Sequence, residues 1–379
     1  HALEHGQLQE AERYLSQALR SRRFIADPTV HSQTSFALHL TKASLSTAAT
    51  GPGSPRSVEA FEQVNELRDP EEPLTLLASL WGEWLTRHNR GQLDGSLPIA
   101  EKVLRLSQDQ LNEAWQGWAW YALAQHRLWR GDPVQAETLL VRALPLIGMS
   151  AEPQDAQALP SQKPSQALAY ASLGLCQALQ GHFSTGLQNA RHAITLASYH
   201  HHPLAGAIAS RLHLMRIYYL AGNLQEMAQE SLTLTGTQSP AKPDTVWIAL
   251  AQMHQLLPAV LQTHNADLIE PMQAAIERIR MDMPVAVEGQ LCMLARALLS
   301  LARDDAAFAV LAEAEQISEQ HGSVLMIPEI QCLRGDIWLQ RQCPDLASQH
   351  WQQARESMDQ HGLLAYQHWL NDRQALIPG

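Results

Sequence analysis

The stretch "LWRGDPVQAETLLVRAL", Leu128 to Leu144, has the form of a helical hairpin's hinge. An apolar helix runs up to Arg130, and Gly131-Asp132-Pro133 supplies the break. Glycine takes the left-handed backbone that ends a helix, and proline fits the first turn of the next. Val134, Ala136, Leu139, Leu140, Ala143 and Leu144 then fall on one stripe of a second helix.

The same pattern recurs along the chain. "HGQLQEAERYLSQAL" turns at Gly6, "RGQLDGSLPIAEKVL" at Gly91, "QGHFSTGLQNARHAI" at Gly181 and "AGNLQEMAQESL" at Gly222. "ARDDAAFAVLAEA" and "RQCPDLASQHWQQA" keep the theme without the glycine. From Gly91 onward successive turn glycines lie about 40 residues apart, the interval from Gly6 to Gly91 holds two such periods, and the wider interval from Gly131 to Gly181 holds the Pro-rich loop "MSAEPQDAQALPSQKPS". A period of this length marks a stacked repeat. Each unit pairs a first helix, such as "NEAWQGWAWYALAQHRLW", with a second that carries small residues at Ala136 and Ala143, where helices approach closely. Neither helix can bury its stripe alone, so the pairs must stack. The expectation is an all-α superhelical solenoid of roughly nine antiparallel helix pairs, the first cut in half.

Residues 1–70 read as truncated or irregular repeats, with a loosened turn at "TGPGSPR" (Thr50 to Arg56), and 71–379 as the regular array. The link "GTQSPAKPD", Gly236 to Asp244, is the candidate hinge within one continuous solenoid. The chain starts at His1 in mid-pattern, as a piece of a longer protein would.

Composition narrows the function. In 379 residues, 45% are hydrophobic and 17% charged, with only five Phe, which suits a globular helical chain. The net charge of −11 argues against a phosphate-binding surface, and the short basic run Arg20–Arg23 reads as a solvated helix end. Cys176, Cys292, Cys332 and Cys343 match no metal spacing and read as reduced thiols of a cytoplasmic protein. No apolar run reaches the ~18 residues of a membrane span, and no signal peptide is seen.

The Gly/Ala/Leu spacing of "RGDPVQAETLLVRAL" resembles the tetratricopeptide repeat, with a longer period than that repeat's ~34 residues. "LLASLWGEWLTRHNRGQLDGSLPIAEKVLRLSQ", "LGLCQALQGHFSTGLQNARHAITLASYHHHPLAGAIA" and "MIPEIQCLRGDIWLQRQCPDLASQHWQQARESMDQHGLLAYQHWLND" are similar to the C-terminal helical arms of STAND-type regulatory ATPases, among them maltose-activator-type regulators and adenylyl-cyclase-associated ATPases. The resemblance covers most of 71–372 and implies a non-catalytic sensor arm. Its concave groove would hold a protein, peptide or small-molecule effector, with no cofactor, no direct nucleic-acid contact and no membrane. No G-x-x-x-x-G-K-[ST] occurs, so the ATPase itself is not in this sequence.

Other chemistry finds little support. "HALEH" at His1–His5 matches a zinc-protease pattern but precedes a turn, and the run His200–His202 points its imidazoles in different directions from an inter-repeat link. "SPAK" at Ser239–Lys242 lies among prolines rather than at a helix start. Aromatic residues carry the binding expectation, because Trp and Tyr offer rigid area with a polar handle, the alternative being that they only fill the core between layers. Counted back from the turn glycines by resemblance to the tetratricopeptide hairpin, Trp81, His88, Trp118, Tyr121, Gln125 and Trp129 face the groove, together with Arg216 and Tyr219. Trp120 and Leu123 would face the partner helix. The alternatives are a free-standing scaffold of the same fold, or an enzyme with a site assembled between helices.

Overall fold

The computed structural model describes residues 8–69, 71–148, 166–199, 204–236 and 245–374. The motifs at His1–His5, His200–His202 and Ser239–Lys242, the Pro-rich loop and most of the 236–244 link lie outside these residues. The described chain forms helices α1 (Leu8–Ser21), α2 (Pro28–Thr50), α3 (Pro55–Leu67), α4 (Pro73–Asn89), α5 (Leu93–Asp109), α6 (Glu113–Trp129), α7 (Pro133–Gly148), α8 (Gln166–Leu179) and α9 (Phe183–Tyr199). The second half adds α10 (Leu204–Leu220), α11 (Leu224–Gly236), α12 (Val246–Thr263), α13 (Ile269–Asp282), α14 (Val287–Ser300), α15 (Asp304–His321), α16 (Ile327–Gln340), α17 (Pro344–His361) and α18 (Gln367–Gln374). No strand occurs among the described residues.

Helices α2 to α17 pair in chain order into eight hairpins, with α1 and α18 as single helices at the two ends. The chain is thus an all-α solenoid of tetratricopeptide-like hairpins. The opening stretch shows how the pairs are made. Gly131 sits at φ 74°. Its N–H bonds the Leu128 carbonyl and the Asp132 N–H bonds that of Arg127, a Schellman ending for α6. Asp132 then caps α7 by accepting the Gln135 N–H at 3.0 Å, and Pro133 opens that helix. The same pair of backbone bonds closes the turns at Gly91, Gly181 and Gly222, and also those at Ala302 and Gln342. The last two residues hold positive φ without being glycine, at 53° and 61°. The repeats that lack a glycine therefore keep its geometry.

Close helix contact follows from small residues. Ala136 and Ala143 are fully buried on α7. At the α8–α9 crossing, a side chain on Gly174 would meet the Gly186 carbonyl and one on Gly186 the Gly174 carbonyl, so only glycine allows this approach.

The solenoid winds back onto itself. The Gly53 N–H donates to the Asp282 carbonyl at 3.0 Å. Gly91 abuts the His321 ring, and Gly131 abuts Val324 and His361. In the pairs Gly53–Asp282, Gly91–His321 and Gly131–His361, the partners lie 229 or 230 residues apart in sequence. Tight turns of the first half thus dock on the inter-hairpin links of the second with one constant offset. Hydrogen bonds fasten the seam: Arg130 Nη1 to the Gly322 carbonyl at 2.6 Å, Val324 N–H to the Trp129 carbonyl at 3.2 Å, and Trp247 Nε1 to the Ala48 carbonyl at 3.1 Å. The first helices face the axis, and one large core cluster runs from Trp81 to Leu370.

Candidate functional site

Winding back on itself converts the expected open groove into a cavity of about 320 Å³ on the solenoid axis. That lies within the range of small-ligand pockets, and its wall is mostly apolar, as theirs are. The first helices supply that wall. Trp81, Trp84 and His88 come from one face of α4, because residues three and four apart on a helix share a side. Tyr121, Gln125 and Trp129 occupy the corresponding face of α6, and Leu168 and Leu175 that of α8. His213 and Arg216 of α10, Trp247 and His254 of α12, and Gly289 and Gln290 of α14 complete the ring, with Met326 closing it from the link before α16.

Of the residues singled out from the sequence, Trp81, His88, Tyr121, Gln125, Trp129 and Arg216 line this cavity. Trp118 and Tyr219 do not. Trp118 lies behind the wall, with its ring 5.7 Å from that of Trp81 and 4.4 Å from that of Trp115. Tyr219 turns away because its hydroxyl donates to Glu329 of α16. Trp120 meets the second helix of its own hairpin, where Arg142 of α7 lies 3.9 Å over the ring.

The far wall was missed because α12 and α14 end without a turn glycine from which to count. The register was nevertheless present. Gly289 stands thirteen residues before the left-handed Ala302, as Ala209 stands before Gly222 and Leu168 before Gly181, and all three line the cavity.

Electrostatics in the wall are quiet. Burial lowers His88 to about 3, helped by nearby His126, and lowers His254 to about 4, so both rings are neutral at ordinary pH. Burial likewise lowers His213. The His213 Nδ1–H donates to the Ala209 carbonyl and the His254 Nδ1–H to the Leu250 carbonyl, each at 2.7 Å, which fixes Nε2 as the acceptor in both. Stacking on Trp84, with ring centroids 5.2 Å apart, orients His88.

Among the described residues, Arg216 is the wall's ionised one. It reaches Glu329 Oε2 at 2.7 Å, the Tyr366 hydroxyl at 3.1 Å and Met326 Sδ at 3.0 Å. Burial opposes its charge, but the carboxylate beside it more than compensates and raises its pKa. Tyr219 and Tyr366 both donate to that carboxylate, and burial pushes both phenols up. This buried quartet ties α10 to α16 and to the segment before α18 across 110 to 150 residues of sequence.

Reactive groups are scarce elsewhere. Cys176, Cys292 and Cys332 are buried, and burial raises all three thiols, which suits inert packing. Among the described residues, no group of three or more His, Cys, Asp or Glu is placed to hold a metal ion, and no helix is long and apolar enough to cross a membrane.

No protein-family model and no curated protein matches the chain. Solved structures do. The apo form of the quorum sensor NprR from B. thuringiensis matches at 12% identity and TM-score 0.49, over 94% of this chain and 96% of that one. The TPR domain of P58(IPK) matches at 13% identity and TM-score 0.26, over 97% and 99%. The helix pairs of this chain, rather than these distant likenesses, define its fold.

Proposed function

We propose that this chain is a non-catalytic helical-repeat sensor module whose axial cavity takes a small effector molecule. One observation carries the reading: the aromatic faces of α4 and α6 enclose a ligand-sized cavity together with α10, α12 and α14. Because its walls come from both halves of the superhelical turn, an occupant touches both and favours the closed turn over an opened one. A ligand with such differential contacts is what a sensor needs. A volume of about 320 Å³ suits a small molecule better than an extended peptide. Resemblance to STAND-type arms supports placing the module beside a nucleotide-binding switch, and a P-loop ATPase encoded in the same reading frame would test that placement.

Gly289 offers the direct test of the cavity. A Cβ there would stand 3.6 Å from Met326 Sδ and 4.0 Å from Arg216 Nη1, ordinary contacts, so a larger side chain can grow into the space. The Gly289→Leu substitution is expected to weaken binding of the neutral fluorophore N-phenyl-1-naphthylamine at least about ten-fold. Removing a helix-interior glycine should also raise stability by about 1 kcal/mol. Unchanged probe affinity in a stable Gly289→Leu protein would reject the cavity as the site.

A further inference from the structure

We infer that the axial cavity recognises an uncharged, largely apolar molecule bearing a hydroxyl group, which it offers as donor to Nε2 of His213. The inference rests on the cavity being the binding site and goes further, to the chemistry of the occupant.

Charge is decided by what lines the wall. Among the described residues no Asp, Glu or Lys does, and the guanidinium of Arg216 is already engaged by Glu329, itself fully buried and held by Tyr219 and Tyr366. An anion would have to compete with that carboxylate, and a cation would meet no carboxylate at all. An ion held against this apolar wall would give up hydration there without a free counterion among the described residues, which costs more than the wall returns.

Polarity is decided by which hydrogen-bonding atoms are already used. Several of the wall's donors are committed: Arg216 Nη2 to Glu329, Trp247 Nε1 to the Ala48 carbonyl, and Gln125 Nε2 to Ser172 Oγ at 2.9 Å. Acceptors are left over. His213 donates its Nδ1–H to the Ala209 carbonyl, which leaves Nε2 of the neutral ring as an acceptor. Gln125 keeps Oε1, and His254 Nε2 and Gln290 Oε1 are buried without a partner. The indole N–H groups of Trp81 and Trp84 are also without partners. A hydroxyl serves both sets, donating to an imidazole nitrogen and accepting from an indole, whereas an ether or ester can only accept. Flat rings of Trp84, Trp129 and Tyr121 around the space favour a planar apolar body.

Four matched probes test the assignment on the whole chain: 2-naphthol, 2-methoxynaphthalene, 2-naphthoate and 2-naphthylmethylammonium, titrated at pH 7 by calorimetry. 2-Naphthol is expected to bind about five- to ten-fold more tightly than 2-methoxynaphthalene, the worth of one neutral hydrogen bond. Both charged probes should bind at least about a hundred-fold more weakly than 2-naphthol. His213→Phe should erase the preference for the hydroxyl while leaving 2-methoxynaphthalene bound, and His213→Gln, which keeps an acceptor, should preserve it. Equal affinity for naphthol and its methyl ether would overturn the role of the hydroxyl, and a preference that survives His213→Phe would overturn its assignment to His213 Nε2. Tightest binding by either ion would overturn neutrality and leave the cavity reading standing. Binding by none of the four, or binding that Gly289→Leu leaves untouched, would defeat the cavity reading itself.

Discussion

Glu329 is the residue on which most depends, because it is fully buried and neutralises Arg216 between two phenols. Removing one partner of a buried ion pair strands the other. Glu329→Gln is therefore expected to cost about 3–5 kcal/mol in urea unfolding, with much of the loss recovered when Arg216→Met is added. A loss below about 1 kcal/mol would show that the pair does not hold the turn shut. The wall histidines set a pH dependence. An imidazole ordinarily takes a proton near 6.5, but burial holds His88 neutral down to about 3 and His254 down to about 4. The unfolded chain thus binds more protons below pH 6.5, and the folded state loses stability as pH falls from there toward 4. Each ring contributes up to about 1.4 kcal/mol per pH unit in that window. His254→Phe should shallow the slope measured by urea unfolding between pH 6 and 4.5 by about that amount, and an identical slope in the variant would contradict the burial of a neutral ring there.

The hairpins that turn at Gly91, Gly131, Gly181 and Gly222 were legible because their endings are written in local chemistry. Gly131, Asp132 and Pro133 each do one geometric task at the α6–α7 turn, and Ala136 and Ala143 mark the face that packs. The turns at Ala302 and Gln342 show the limit, since there the backbone adopts the glycine geometry on a side chain that sequence patterns do not associate with it. What the seam adds to a turn can be measured by comparing two glycines in the same conformation. A Cβ on Gly222 would meet nothing within 4 Å, so Gly222→Ala should cost only the backbone strain, about 1–2 kcal/mol. A Cβ on Gly131 would collide with Val324 Cγ2, so Gly131→Ala should cost clearly more, and Val324→Ala should return part of the difference. Equal costs at the two glycines in thermal unfolding would place Gly131 away from the seam.

Stacking of pairs follows from their stripes, but closure does not, and that is why the sequence pointed to a groove where the structure has a cavity. The small rotation from one pair to the next accumulates over 230 residues before Gly91 meets His321, and nothing in a single repeat encodes that sum. Residues facing the axis near a turn glycine, such as Trp81, Tyr121 and Arg216, could be found by counting, whereas Trp118 and Tyr219 shared the count but were claimed by neighbours in the core. His213, His254 and Gly289 became site residues only when the second half of the chain came round to face the first. Small-angle X-ray scattering of the whole chain measures that closure. A superhelix wound back onto itself should give a radius of gyration of about 21 Å, the value for a compact body of this length. A radius near 30 Å, with a long tail in the distance distribution, would mean an open array with no enclosed site.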